Sequence, residues 1–194
     1  MLVPNGAPAT ARDWIAMARA KPGQLNYATS GNGTIVQLTA ELFKAQAGLF
    51  IVHIPYKGTA LAIPDLVRGK VDVLFDSLPT GLPHVRDGRL KALAVTSLKR
   101  SPLAPDIPAL AEVLPGFESN TWFGLYGPKG LPADAVLRFN QAANAALADP
   151  ELRERLARLG IEPRGGTPQA FAQMTERDRA RWTRIITERR ITPD

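Results

Sequence analysis

Three short, almost wholly apolar runs, at residues 50–54, 71–75 and 90–95, most narrow the folds open to this chain. Each has the length of a strand, and Pro55, Asp76 and Thr96 close them in turn. A strand that is apolar on both faces has to be covered on both faces, and helices do this in parallel sheets. Segments of helical period lie between and before the runs. Residues 35–47 put Leu38, Leu42 and Phe43 on one side, and residues 59–68 do the same with Leu61, Leu66 and Val67. A helix is predicted over 11–20, with Thr10 as its cap and Lys21-Pro22-Gly23 as its end, and a shorter one over 82–87. Residues 25–28 read as a strand, and Leu2-Val3 as the remnant of one. This alternation predicts an α/β fold with a mostly parallel sheet.

Beyond Thr96 the texture changes. A proline-rich loop with a short helix near Ala109 leads to a predicted strand over 122–126. Pro132 opens a helix to about Ala148, and Asp149-Pro150 opens another to Leu159. Residues 161–164 read as a strand. A final long helix follows Gly165-Gly166-Thr167-Pro168, with Phe171, Met174, Trp182, Ile185 and Ile186 as its core candidates. The boundary between two lobes is expected between Thr96 and Trp122.

Composition excludes several function classes. At 45% hydrophobic and 22% charged residues, the chain can bury a core large enough to offset chain entropy. The net charge of +6 admits a nucleic-acid partner, but the densest basic stretch, 177–190, also holds Asp178 and Glu188. Mixed signs at helical spacing mark a solvated helix face, so no nucleic acid is expected. There is no cysteine, and the histidines are His53 and His84 alone. A disulfide, a thiolate metal site or a Ser-His-Asp triad therefore has almost nothing to build on, and no catalytic residue, metal or cofactor is expected. His53, inside an apolar strand, reads as a satisfied core histidine and His84 as a surface one. Residues 1–6 show neither a basic nor an apolar leader region, which reads as a cytoplasmic protein or as a mature or truncated piece.

The sharpest local feature is Ser30-Gly31-Asn32-Gly33-Thr34, between a strand and a helix. Backbone N–H groups at a helix start carry partial positive charge, glycines let a ligand approach the backbone, and Ser30 and Thr34 add hydroxyls. Two readings stand open: an anion cradle, or a plain turn with an N-cap. The Gly-Lys-Ser/Thr ending of a P-loop is missing. Tyr56-Lys57-Gly58 follows the next strand, with Lys57 either meeting an anion or solvated. Asp76 follows the third strand, either facing a cleft or capping what comes next. Ligands of open α/β sheets bind outside the carboxyl ends of strands, where all three features sit.

These stretches closely resemble a known family. "KPGQLNYATSGNGT", the run from "HIPYKGTALAIPDLVRGK" through "VDVLFDSLPTGLPHVRDGRLKALAVTSLKRSPLAPDIPAL", and "TWFGLYGPKGLP" are similar to the extracytoplasmic solute receptors of tripartite tricarboxylate transporters, the Bug family. The resemblance runs almost from Leu2 to the C-terminus. It implies a periplasmic-binding-protein-like (type II) α/β fold of two lobes, one complete and the other partial because the chain is N-terminally truncated. Residues 1–10 would be a crossover segment, 11–120 the second lobe, and 121–194 the C-terminal part of the first. It further implies a non-catalytic periplasmic receptor that passes a small carboxylate (di- or tricarboxylate, or amino acid) to membrane subunits. Carried over by position, Ser30, Gly31, Asn32, Gly33 and Thr34 would face the ligand carboxylate, and Tyr56, Lys57, Gly58 and Asp76 would line the same cleft. Gln37 stands where many members have histidine. Amphipathic helices after Pro132 with few strands to cover them lead to an expectation of self-association. Two alternative classes stand beside the receptor reading: the effector-binding part of a cytoplasmic transcription regulator, which no helix-turn-helix supports, and an enzyme acting on an anionic metabolite.

Overall fold

Local signals decide where the first two long helices begin and end. A computed structural model of the chain describes residues 1–192. Strand β1 (Leu2–Pro4) leads to helix α1 (Ala11–Ala20), whose N-cap Thr10 accepts a bond from the Asp13 N–H at 3.1 Å. Strand β2 (Asn26–Thr29) is followed by α2 (Ile35–Ala47), which stops where Gly48 turns left-handed at φ 63°. Then come β3 (Val52–Pro55), α3 (Thr59–Val67), β4 (Val73–Leu74), α4 (Leu78–Arg86) and β5 (Leu90–Ala92), and a single 3-10 turn at Leu110–Glu112. The last three helices are α5 (Ala133–Ala148), α6 (Pro150–Arg158) and α7 (Pro168–Arg189).

The chain divides into two compact units. The first comprises Met1–Thr121 with the segment from Arg184 onward, and the second is Trp122–Thr183. The last two positions of the expected 121–194 piece lie outside the described residues.

In the first unit the strands form one sheet in the order β3-β2-β4-β1-β5. Strand β2 runs parallel to β3 and β4, whereas β1 is antiparallel to both of its neighbours, β4 and β5. The sheet is thus mixed, with a single reversed strand inserted among strands of common direction. Registers Tyr27↔His53, Ala28↔Ile54 and Ala28↔Leu74 align the carboxyl ends of β2, β3 and β4. Side chains alternate across the sheet. Leu2, Ala28, Leu74 and Leu90 pack with Ala62, Ile63 and Leu66 of α3. Trp14 of α1 and Phe43 of α2 form a separate aromatic core with Phe75 and Phe117, ring centroids 5.2–6.4 Å apart.

Several expected boundaries are corrected. The run 50–54 pairs only from Val52. It lies on the sheet edge, where Phe50 is 65% exposed and Val52 is exposed too. The runs 71–75 and 90–95 are buried almost throughout, but ladder pairing is confined to Val73–Leu74 and Leu90–Ala92. Helix α4 starts four residues earlier than 82, because Pro79 falls in the first turn, where its missing N–H removes no helix bond. Gly81 inside α4 is explained by packing: a Cβ there would stand 2.9 Å from Leu2 Cδ1. Leu61 and Ile186, expected inward, are exposed, and of the α7 core candidates only Ile185 is fully buried. Neither 122–126 nor 161–164 pairs with another strand among the described residues, and a strand requires a partner for its backbone groups.

The second unit centres on Phe171. Trp122 meets its ring edge-on at 5.6 Å, Tyr126 lies tilted to it at 5.1 Å, and the Trp122 Nε1–H donates to Asp178 at 2.7 Å. Asn144 ties α5 to the loop before α7 by exchanging bonds with the Gly166 backbone at 2.7 and 2.9 Å. No residue of α5 or α6 is fully buried, and Phe123, Leu125, Leu137 and Phe139 are exposed.

Candidate ligand-binding site

Because β2, β3 and β4 are adjacent and parallel, the loops that follow them leave the same edge of the sheet. These loops carry Ser30 to Thr34, Tyr56 to Gly58, and Asp76. The topology therefore brings all nine sequence-predicted residues to one edge of the first unit.

The loop after β2 is shaped by two left-handed glycines, Gly31 at φ 130° and Gly33 at φ 73°. The Thr34 hydroxyl does not cap α2; it donates to the Gly31 carbonyl at 2.8 Å. The first turn of α2 consequently has no side-chain cap from Thr34 and contains no acidic residue, so its N–H groups keep their positive potential. The Gly33 N–H, by contrast, donates to Gln37 Oε1 at 2.7 Å. Asn32 also has an interaction partner.

The second loop is tied to the first, since the Tyr56 N–H donates to the Thr29 carbonyl at 3.1 Å. The Tyr56 hydroxyl turns away to Asp65 of α3 at 3.0 Å. Burial and that carboxylate together hold its pKa above the usual tyrosine range. Lys57 is exposed. Gly58 precedes α3 at φ 110°, with nothing within 4 Å of where a Cβ would stand. In the third loop Asp76 Oδ1 accepts from the Ser77 N–H at 2.9 Å, while its Oδ2 is buried with no hydrogen-bond partner among the described residues.

Sequence reasoning missed the residues behind the first loop. His53, in β3, is half-buried and stacks on Tyr27 with ring centroids 4.9 Å apart. Its Nε2 lies 2.6 Å from Thr29 Oγ1 and its Nδ1 lies 3.4 Å from Gln37 Nε2. Thr29, fully buried, sits 3.3 Å from both the N–H and the carbonyl of Gly31. One signal was present in the sequence: a histidine one residue from the end of a strand whose following loop is polar. On the far side of this group the Tyr27 hydroxyl donates to Glu41, which also holds Lys44 at 2.6 Å. Burial, then the Glu41 bond, raises the Tyr27 pKa, so it remains a donor. His84, read as a surface residue, is half-buried, and its Nδ1 is buried with no hydrogen-bond partner among the described residues.

Among the described residues no group of three or more His, Asp or Glu side chains could hold a metal, and no helix is long and apolar enough to cross a membrane. An open depression of about 390 Å³ lies away from these loops, between the start of α1 and the segment around Pro108. Glu112 on its wall is committed to Arg100, whose guanidinium holds that carboxyl down to about 2. No glycine lines the depression, and Thr10 caps the helix start on its wall by accepting from the Asp13 N–H, so the strand-end loops remain the better candidate.

Known proteins share both the sequence and the fold. The family model "Tripartite tricarboxylate transporter family receptor" matches residues 1–191. A Pseudomonas sp. (strain P51) protein, described as "UPF0065 protein in tcbD-tcbE intergenic region", is 41% identical over 179 residues, covering 91% of this chain and 53% of that one. The structure "R. palustris Rpa4515 with adipate" superposes with a TM-score of 0.83 at 34% identity, covering 100% of this chain and 65% of that one. "Structure of periplasmic binding protein BugD" superposes with a TM-score of 0.76 at 29% identity, over 96% and 64%. The α/β architecture is therefore that of periplasmic binding proteins. The chain spans about half the length of the curated relative and about two thirds of the solved ones. On the family match and the shared fold, the chain belongs to the tripartite tricarboxylate transporter receptor family.

Proposed function

We propose that this chain forms part of a non-catalytic periplasmic receptor that captures a small organic carboxylate and hands it to the membrane subunits of a tripartite tricarboxylate-type transporter. The observation that carries the reading is the uncapped start of α2, opened by Gly31 and Gly33, in a chain that superposes along its whole length on an adipate-bound protein. Ser30, Gly31, Asn32, Gly33 and Thr34 line the ligand carboxylate: the first-turn N–H groups of α2 supply donors, while Gly31 and Gly33, whose own N–H groups are engaged by Thr29 and Gln37, leave the approach open. Charge-assisted bonds of this kind contribute on the order of 1.5–3 kcal/mol each before desolvation, more than the roughly 0.3–1 kcal/mol of an exposed helix dipole. Tyr56, Lys57 and Gly58 wall the same cleft. Asp76 cannot serve a second carboxylate as a donor; it accepts from a ligand hydroxyl or amine, or orders a bridging water. The exposed apolar side chains of the second unit favour association of the chain with itself.

Calorimetry with a panel of small carboxylates, adipate first, tests the reading. Binding of at least one carboxylate is expected, with loss of it in Gly33→Val, where a branched side chain meets both a φ of 73° and the approaching ligand. Unchanged affinity in a folded Gly33→Val would remove the 30–34 loop from the site.

A further inference from the structure

We infer that His53 is a positioning residue, which holds the 30–34 loop in its ligand-ready shape through two arms, Thr29 and Gln37. The inference rests on the carboxylate-receptor reading.

The argument starts from a group whose polarity cannot be reversed. The Gly33 backbone N–H is a donor, so the Gln37 atom 2.7 Å away is its amide oxygen. The Gln37 NH2 then faces His53 Nδ1 at 3.4 Å, and an NH2 facing a ring nitrogen needs that nitrogen to be an acceptor. Neutral His53 consequently carries its proton on Nε2, which donates to Thr29 Oγ1 at 2.6 Å. Thr29 Oγ1 has now accepted from His53 and also lies 3.3 Å from the Gly31 N–H. Its own proton is left for the Gly31 carbonyl, 3.3 Å away. One sense of donation therefore runs from Gly33 to Gly31 through three side chains, and it reaches both left-handed glycines of the loop.

The direct loop bond, Thr34 Oγ1 to the Gly31 carbonyl, does not reach Gly33. The imidazole is itself held flat against Tyr27, which is anchored at its far end by Glu41. The loop thus takes part of its shape from β3.

NMR and calorimetry on the full chain separate this role from packing. A long-range 1H–15N correlation should find His53 protonated at Nε2. His53→Phe keeps a ring against Tyr27 but loses both arms, so it should move the Gly33 amide signal. Gln37→Leu should move it similarly, and the double variant little further, because both changes break one chain. Adipate affinity should fall about tenfold in each, as for one lost buried hydrogen bond near the ligand. An Nδ1-protonated His53, a Gly33 amide unmoved in His53→Phe, or adipate affinity unchanged despite a displaced Gly33 signal would each overturn the proposal. If His53→Phe does not fold, the wild-type tautomer and Gln37→Leu decide. If neither this chain nor one of its relatives' full length carrying it binds a carboxylate, the receptor reading fails, while the tautomer and the Gly33 signal still decide whether His53 shapes the loop.

Discussion

In a 194-residue polypeptide made with a free α-amine at Met1, that amine should make folding stability rise between pH 5 and pH 8. The Met1 amine is buried and donates to the Ala94 carbonyl at 2.8 Å. Burial drives its pKa from 8.0 down to about 5, against a smaller upward pull from the Asp76 carboxylate. The unfolded chain therefore binds more protons than the folded chain throughout that window, and stability increases with pH wherever this holds. Above pH 8 the amine is neutral in both states and nothing is lost. As pH falls, stability is lost progressively, and below about 5 the loss is complete. A shift of about three units at about 1.36 kcal/mol per unit makes the loss about 4 kcal/mol. Urea denaturation of the 194-residue chain at pH 5 and pH 8.5, beside the same chain with an acetylated α-amine, isolates the effect. Acetylation removes the amine's titration and keeps every titratable side chain, so the difference between the two pH slopes belongs to the amine together with its pairing to Asp76. Asp76→Asn removes the favourable countercharge and should enlarge the slope further. If free and acetylated chains lose stability equally between these pH values, the buried amine is not the cause and the reasoning fails.

The loop variants should rank by what each side chain touches. Thr34→Val removes the 2.8 Å bond to the Gly31 carbonyl and should cost carboxylate affinity a few-fold, as for about 0.5–1.5 kcal/mol. Lys57→Ala, at an exposed lysine, should change it by less than about twofold; a larger loss by calorimetry would show that Lys57 meets the anion. A chelator should leave both the melting transition and carboxylate binding unchanged, and a loss restored by one metal would contradict this. Light scattering should detect association that weakens in Phe123→Ser/Phe139→Ser, since these rings are 87% and 72% exposed; a monomer at all concentrations would refute it.

How much could be read in advance follows from how far apart the deciding groups lie in the sequence. Helices α1 and α2 were legible because their ends are set by neighbours: Thr10 bonds three residues ahead, and Gly48 turns the chain at once. The strands were legible as buried runs but not as ladders. Whether Val71 or Phe75 pairs depends on β1 and β2, and the sequence holds no local mark of that register. Residues 122–126 have a strand's composition, yet among the described residues nothing pairs with them. The site divides along the same line. Gly31, Gly33 and the hydroxyls around them announce a special loop by composition alone. His53 looked like a core histidine because its role depends on partners 24 and 16 residues away, brought beside it by the β2–β3 register and by α2. Topology supplied the link between the two scales. Once β2, β3 and β4 are parallel and adjacent, the loops bearing Ser30, Tyr56 and Asp76 must leave one edge together, whatever the register. The position of the candidate site therefore follows from strand direction, a coarse property that alternating strands and helices already imply. Its shape follows from hydrogen bonds through Thr29, His53 and Gln37, which only the folded sheet brings together.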